Sequence, residues 1–244
     1  MEIDLRQIEN FLTDDEVAFI EQRIMTGCIP SANWSQDEAG GKVFSGNYYI
    51  FDTADPLFGD VMAMLTPKFQ KEFHPQLFIQ QIHILDAVDP YRIHSDVESG
   101  WMFSDHLTTP AWTFIVPLAT VDSHTVVFNE SSETKDVQGH TEKNLPINSV
   151  DDHTYNKYFS HINRELLSWF SIDQIFKWKK GSMFAAPRFR YHTSDNFPAN
   201  GVTSKRALIA WTSIPVDPAD TELSQQATAI KAQQLEYIKI NTIS

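Results

Sequence analysis

The sequence predicts a mostly β chain, an antiparallel sandwich or barrel with flanking helices. Two observations predict it. From residue 77 onward, short runs rich in β-branched and aromatic residues recur at 77–85, 91–94, 112–118, 125–128, 182–186 and 206–214, with Pro, Gly, Asn and Asp clusters between them. That is the texture of strands joined by turns. Before residue 77 the apolar positions fall instead at helical spacing over two segments. A chain of 244 residues is long for one domain but suits a single barrel with helical additions.

The elements follow in order. Residues 3–8 read as a short strand closed by Asn10-Phe11-Leu12. Thr13 reads as an N-cap, and Glu16 three residues on completes a capping box. The helix that follows runs to about Met25, with Val17, Ile20 and Ile24 on one stripe. Residues 42–51 carry the aromatic and β-branched types of a strand or two. A second helix is expected from about Asp55 to Phe73, with Pro56 in its first turn, Val61, Met64 and Leu65 on its buried face and Pro67 as a break point. Together these make a helical buttress over about 1–75. The stretch of about 130–180 reads as an insertion over one end of the barrel, polar to Asp152 and helical from about Tyr155 to Phe170. Residues of about 217–244 read as a helix-favouring tail packed outside a single domain spanning 1–244.

Composition excludes several functions. A net charge of −13, from 19 basic and 32 acidic residues, argues against a surface for nucleic acid or an anionic membrane. The single cysteine, Cys28, allows neither an intramolecular disulfide nor a cysteine metal cluster. The first residues lack the basic-then-apolar order of a signal peptide, and no apolar run approaches the length of a bilayer span. The expectation is a soluble, cytoplasmic protein.

The chemistry centres on Asp89-Pro-Tyr-Arg-Ile-His94-Ser-Asp96. On an extended strand His94 and Asp96 point to one face and can converge on one point. A second stretch reads as a glycine turn at Gly181, a strand with His192 at its end and, after a polar loop, a further strand opening with Lys205-Arg206-Ala-Leu-Ile-Ala-Trp211. His192 would add a third ligand. Two histidines with one carboxylate form the facial triad that suits non-heme Fe(II) and leaves three positions open. A basic residue beside it would pair with an anionic co-substrate.

In these pieces the chain resembles the Fe(II)/2-oxoglutarate-dependent oxygenases, specifically the prolyl-hydroxylase and phytanoyl-CoA-hydroxylase type branches. The similarity covers most of the chain: Ile8 to Glu16 as the entry, Tyr91 three residues before the first ligand, then His94-Ser-Asp96, the Gly181 strand, His192 and the basic strand ending at Trp211. The resemblance implies a double-stranded β-helix (jelly-roll, cupin-like) core with helices against one sheet. It implies Fe(II), 2-oxoglutarate and O2 as cofactor and co-substrates. It also implies hydroxylation of a small molecule, an amino acid or related carboxylate, while 2-oxoglutarate is decarboxylated to succinate and CO2. A peptidyl, prolyl-type substrate is the alternative. An aspartate at 96 fits oxygen transfer better than halogenation. Two further readings are a metal enzyme of the same fold that does not use 2-oxoglutarate and a ligand-binding barrel without turnover.

The resemblance also suggests roles around the triad. Tyr91 would sit near the keto acid. Lys205 and Arg206 are adjacent, so only one can face the site. The family's inward residue six positions after the cation pairs Lys205 with Trp211, whereas arginine's planar fork favours Arg206. Strand parity inclines the choice to Lys205. On the substrate side the candidates are Arg188 and Arg190, which share parity with His192, then His83 and one of Gln80 and Gln81 on the preceding strand, Trp211, and Trp101 with Asp105 and His106 in the loop after the ligands. His124, His140, His153 and His161 lack ligand spacing and read as surface residues. Nothing in the sequence sets the oligomeric state.

Overall fold

The computed structural model describes residues 4–27, 30–36, 42–50, 56–96, 108–132 and 150–215. Its strands are β1 (Arg6–Ile8), β2 (Ser31–Gln36), β3 (Lys42–Ile50), β4 (Phe78–Ala87), β5 (Thr108–Pro117), β6 (His124–Ser131), β7 (Ile172–Lys177), β8 (Met183–Pro187), β9 (Arg190–Ser194) and β10 (Lys205–Pro215). They form one seven-stranded sheet, ordered β1-β8-β5-β10-β4-β3-β2, and one three-stranded sheet, β7-β6-β9. Every pairing is antiparallel. Two facing antiparallel sheets with helices against the larger one are the jelly-roll arrangement expected from the sequence.

The two faces of the large sheet bury different things. Its outer face offers Ile82 and Ile84 of β4, Trp112, Phe114 and Val116 of β5, and Leu208 and Ala210 of β10. Against it pack Val17 and Ile20 of helix α1 (Asp14–Gly27) and Val61, Leu65 and Phe69 of helix α2 (Pro56–Glu72). The rings of Phe11, Phe69 and Phe114 form a stack with centroids 5.3 and 4.2 Å apart. Its inner face contributes Ile115, Phe184, Ala186 and Ala207, which meet Val127, Phe176 and Trp178 from the small sheet. Central strands with both faces buried explain the near-continuous apolar run from Ala207 to Ala210. The small sheet's outer face (Val126, Phe128, Tyr191) is covered by Phe159, Ile162, Leu167 and Phe170.

The capping box at the start of α1 forms as expected. The Glu16 backbone N–H donates to Thr13 Oγ1 at 3.2 Å and the Thr13 N–H to Glu16 Oε2 at 2.8 Å. Pro67 does not break α2, which continues through it to Glu72.

Three expectations are corrected. The stretch of about 130–180 is not wholly an insertion, because its last part is β7, a core strand registered on β6 from His124↔Lys177 to Phe128↔Ile172. The helix expected at 155–170 is three short helical pieces, Asp152–Thr154, Tyr155–Phe159 and Arg164–Leu167, the last capped by Asn163. The stretch from Gly181 to His192 is two strands in different sheets, β8 in the large one and β9 in the small one. The polar segment 133–149 and the tail from residue 216 lie outside the described residues. Among the described residues no helix is long and apolar enough to cross a membrane.

Gly181 joins the helical layer to the sheet. Its carbonyl accepts from Leu12 N–H at 2.9 Å and its own N–H donates to Pro117 O at 2.9 Å. Its φ of +71° suits glycine, and a Cβ there would lie 2.4 Å from Leu12 O. Gly181→Ala is expected to lower unfolding free energy by about 1–3 kcal/mol. A urea melt checks this, with a lower midpoint at an unchanged slope.

Candidate metal centre

The site begins with main-chain hydrogen bonds. After β4 the chain crosses from the large sheet to β9, where His94 and His192 form an isolated antiparallel bridge. His94 N–H donates to His192 O at 3.0 Å and His192 N–H to His94 O at 2.9 Å. Two more ties fix the segment: Ser194 N–H to Tyr91 O at 3.2 Å and Asp96 N–H to Arg188 O at 3.1 Å. Residues 91–94 are therefore not a regular strand, since a single bridge at His94 does the pairing. Directly opposed residues in such a bridge project to the same face, which brings the two imidazoles together. Their ring centroids lie 4.3 Å apart.

Ring orientation follows from the other nitrogen of each histidine. His94 Nδ1 lies 2.9 Å from Arg92 O and His192 Nδ1 lies 3.2 Å from Arg190 O. An Nδ1–H donated to a carbonyl leaves the Nε2 lone pair free, the tautomer that ligates metals. Both Nε2 atoms turn to Asp96, 3.7 Å from its Oδ1 and Oδ2 respectively. Ligand atoms from the three residues lie within 4.8 Å of one another. Burial pushes the His94 imidazole down to about 4, with His192 adding to the shift, so it is neutral and able to donate a lone pair. Burial alone would raise the Asp96 carboxyl, but the two imidazoles, the Thr113 hydroxyl and Arg188 hold it below its ordinary value. Two imidazole nitrogens and one buried carboxylate fit a borderline divalent metal such as Fe(II).

Asp96 is held from the large sheet. Thr113 Oγ1, on the inner face of β5, donates a short hydrogen bond to Asp96 Oδ2. Arg188, fully buried, gives Nη1 to Gln80 Oε1 at 2.6 Å and to Thr212 O at 3.1 Å, and Nη2 reaches Asp96 O at 3.5 Å. Burial pulls its pKa down to about 10, against the opposing charge of Asp96, so it stays cationic at neutral pH. Arg190 gives Nε to Phe128 O at 2.7 Å and forms an ion pair with Asp173. Both arginines are thus engaged with the protein itself. Tyr91 packs edge-on to His94 at 4.5 Å and its hydroxyl is hydrogen-bonded with that of Tyr48.

The adjacent cations separate as strand parity requires. Arg206 lies beside Asp86, with Nη2 2.6 Å from Oδ2. Lys205 is buried, with Nζ 3.0 Å from Ser123 Oγ, 3.8 Å from Asp195 Oδ1, and over the rings of Trp178 and Phe197 at 4.2 and 4.9 Å. Asp195 is fixed in turn by Ser123 Oγ at 2.7 Å, His124 N–H at 2.8 Å and His124 Nδ1 at 3.0 Å. Burial draws the Lys205 ammonium down to about 7, with Asp195 opposing the shift.

On the inner face of the large sheet, pairing register puts Trp211 between Gln81 and Thr113, and His83 between Ile209 and Ile50. His83 lies edge-to-face between Tyr48 and Trp211, 5.2 Å from each ring. Trp101, Asp105 and His106 lie outside the described residues. His124 and His161, expected at the surface, are not there: His124 is buried against Asp195, and both ring nitrogens of His161 are buried. Sequence reasoning missed Thr113, Ser123, Tyr48 and Asp195. A signal existed for Thr113, a lone hydroxyl inside the apolar run Trp112-Thr-Phe-Ile-Val116.

Thr113→Val removes the hydroxyl while keeping shape. It is expected to weaken divalent-metal affinity about 10- to 100-fold, measured by Mn(II) or anaerobic Fe(II) titration. His94→Ala and His192→Ala should abolish stoichiometric binding in the same titration.

No family model matches this sequence, and no curated protein matches it. Solved structures do match in fold. The epimerase SnoN from nogalamycin biosynthesis, in complex with Fe3+, α-ketoglutarate and nogalamycin RO, aligns at 16% identity over 85% of this chain and 78% of its own, with a TM-score of 0.53. A 2OG-Fe(II) oxygenase family oxidoreductase from Burkholderia pseudomallei aligns at 13% identity over 87% and 86%, with a TM-score of 0.52. The α-ketoglutarate-dependent carbocyclase SnoK, also from nogalamycin biosynthesis, aligns at 13% identity over 86% and 79%, with a TM-score of 0.50. The chain has the jelly-roll fold of the 2-oxoglutarate–Fe(II) oxygenases.

Proposed function

We propose that this protein is an Fe(II)- and 2-oxoglutarate-dependent oxygenase acting on a small organic molecule, with hydroxylation as the expected outcome. The observation that carries the reading is the convergence of two imidazole Nε2 atoms and the Asp96 carboxylate, backed by Nδ1 contacts to carbonyls that orient both rings. His94, Asp96 and His192 would hold the metal. When bound, iron, keto acid and O2 would supply the oxidising chemistry, one oxygen atom going to succinate as 2-oxoglutarate loses CO2 and the other to a substrate C–H bond.

The chain's own residues bind, orient and exclude water. Lys205 is the candidate for the distal carboxylate of 2-oxoglutarate. Its ammonium has three donors, and Ser123 Oγ is the hydrogen-bonding acceptor placed at 3.0 Å. Ala207, two residues further along the inner face, is small and buried, which leaves length for a keto acid between Lys205 and the ligands. Ile115, Val127 and Phe184 make the surrounding interior apolar, which strengthens each charge interaction within it. Arg206, committed to Asp86, is the weaker candidate.

A second reading has one observation in its favour. Asp195 already stands beside Lys205, as a resident carboxylate would, and a metal enzyme of this fold that uses no keto acid could keep such a pair as structure. Anaerobic Fe(II) titration with and without 2-oxoglutarate separates the two. The expected result is a visible charge-transfer band that needs both components, is lost in Lys205→Ala and persists in Arg206→Ala. Iron binding without a band would move the conclusion to the second reading.

The anchor's charge gives a pH prediction. With its pKa drawn down to about 7, Lys205 is cationic below that pH and neutral above it in the free protein. Binding a carboxylate above pH 7 then requires uptake of a proton. Affinity for 2-oxoglutarate should be highest below pH 7 and fall by up to about tenfold per pH unit above it, read from the band's titration curve at several pH values.

A further inference from the structure

The inner face of the large sheet carries one cross-strand row in which Ile50, His83, Ile209, Ile115 and Phe184 stand side by side on β3, β4, β10, β5 and β8. His83 is the lone polar member. It is 3% exposed, and its Nδ1 is buried with no hydrogen-bond partner. Trp211, on the adjoining row, has its Nε1 buried in the same condition. Their rings meet edge-to-face 5.2 Å apart, and Tyr48 meets His83 from the other side at the same distance. An unmade hydrogen bond at a buried ring nitrogen, donor or acceptor, costs about 1–3 kcal/mol, so two of them in neighbouring rings call for a ligand that satisfies them.

The surroundings set the ligand's chemistry. Trp211 is registered opposite Thr113, whose hydroxyl holds Asp96, so the cluster borders the metal-ligating carboxylate. Burial nevertheless pushes the His83 imidazole down to about 4, which leaves it neutral. Arg188 lies over the Trp211 ring at 5.8 Å but gives Nη1 to Gln80 and Thr212 O and Nη2 to Asp96 O, and Arg190 is engaged with Asp173 and Phe128 O. Ile50, 54% exposed, ends the row with an apolar rim. Three aromatic rings set edge to face, with an indole donor among them, suit a flat group that stacks and accepts a hydrogen bond.

We propose that Tyr48, His83 and Trp211 form the substrate seat beside the metal centre, and that it takes an uncharged ring bearing a carbonyl- or hydroxyl-type acceptor, rather than the carboxylate of an amino acid. This deepens the oxygenase reading and rests on it for the seat's role in turnover. The ring supplies area against the aromatic walls, and its oxygen accepts from Trp211 Nε1. His83 Nδ1 completes the recognition, as donor or acceptor according to its tautomer.

The test uses the full chain loaded with Zn(II) as a diamagnetic metal, with 2-oxoglutarate present. Acetophenone, toluene and L-proline are the probes. The indole N–H resonance of Trp211, assigned by its loss in Trp211→Phe, and the His83 ring nitrogens are followed by NMR. Acetophenone is expected to shift both signals saturably and to bind about 5- to 10-fold more tightly than toluene, the worth of one neutral hydrogen bond. Proline should leave both signals in place. Trp211→Phe and His83→Phe should each reduce the acetophenone preference over toluene to about one, with metal and 2-oxoglutarate binding read on the same samples to show an intact centre. Saturation by proline, equal binding of acetophenone and toluene to the wild-type chain, or an unchanged preference in both variants would each overturn the proposal. The oxygenase reading fails separately, through an absent Fe(II)–2-oxoglutarate band in the wild-type chain.

Discussion

The pair of hydrogen bonds between the backbones of His94 and His192 is the constraint on which the site depends. Each residue donates to and accepts from the other, at 3.0 and 2.9 Å, and everything else about the centre follows from that rung. It sets the two rings on one face. It brings Asp96, two residues on, within reach of both Nε2 atoms. It also lets Arg92 O and Arg190 O, each two residues before a ligand, accept from the far ring nitrogens. A site assembled from main-chain geometry needs little from side-chain rotamer preference, because backbone pairing sets the side-chain directions in advance.

Around this rung the protein buries charged side chains of both signs. Arg188 and Asp96 lie on one side, Lys205 and Asp195 on the other. Buried charges are tolerated when paired and hydrogen-bonded. Arg188 spends its guanidinium on Gln80, Thr212 O and Asp96 O, and Asp195 accepts from Ser123, the His124 backbone and the His124 ring. Asp195 is met by three donors from Ser123 and His124, whereas the Lys205 ammonium, with three N–H groups, donates to Ser123 Oγ.

Much of this was legible in the sequence, for identifiable reasons. The HxD spacing, the downstream histidine and the basic strand are local patterns, and alternation along β10 is enough to send Lys205 and Arg206 to opposite faces. The capping box at Thr13 and Glu16 was equally local. What stayed hidden was non-local. Strand β7, Ile-Asp-Gln-Ile-Phe-Lys177, follows a helical stretch and lacks clean alternation, so its core role appears only in its register with β6. The stretch from Gly181 to His192 read as one strand because a change of sheet leaves no periodic mark. His124 looked like a surface residue because its partner, Asp195, is 71 positions away. The groups that Arg188 and Arg190 contact within the protein lie far along the chain, so the sequence shows the charges but not these partners.

The Thr113–Asp96 contact has a consequence for how the molecule moves. Thr113 belongs to the large sheet and His192 to the small one, so the ligand set is tied to both sides of the sandwich, Asp96 through the Thr113 hydroxyl. A metal seated among them would act as a staple between the two layers. Its residence time and the breathing of the sandwich would then be a single process. Loosening the packing of Ile115, Val127 and Phe184, well away from any ligand, would appear first as faster metal exchange.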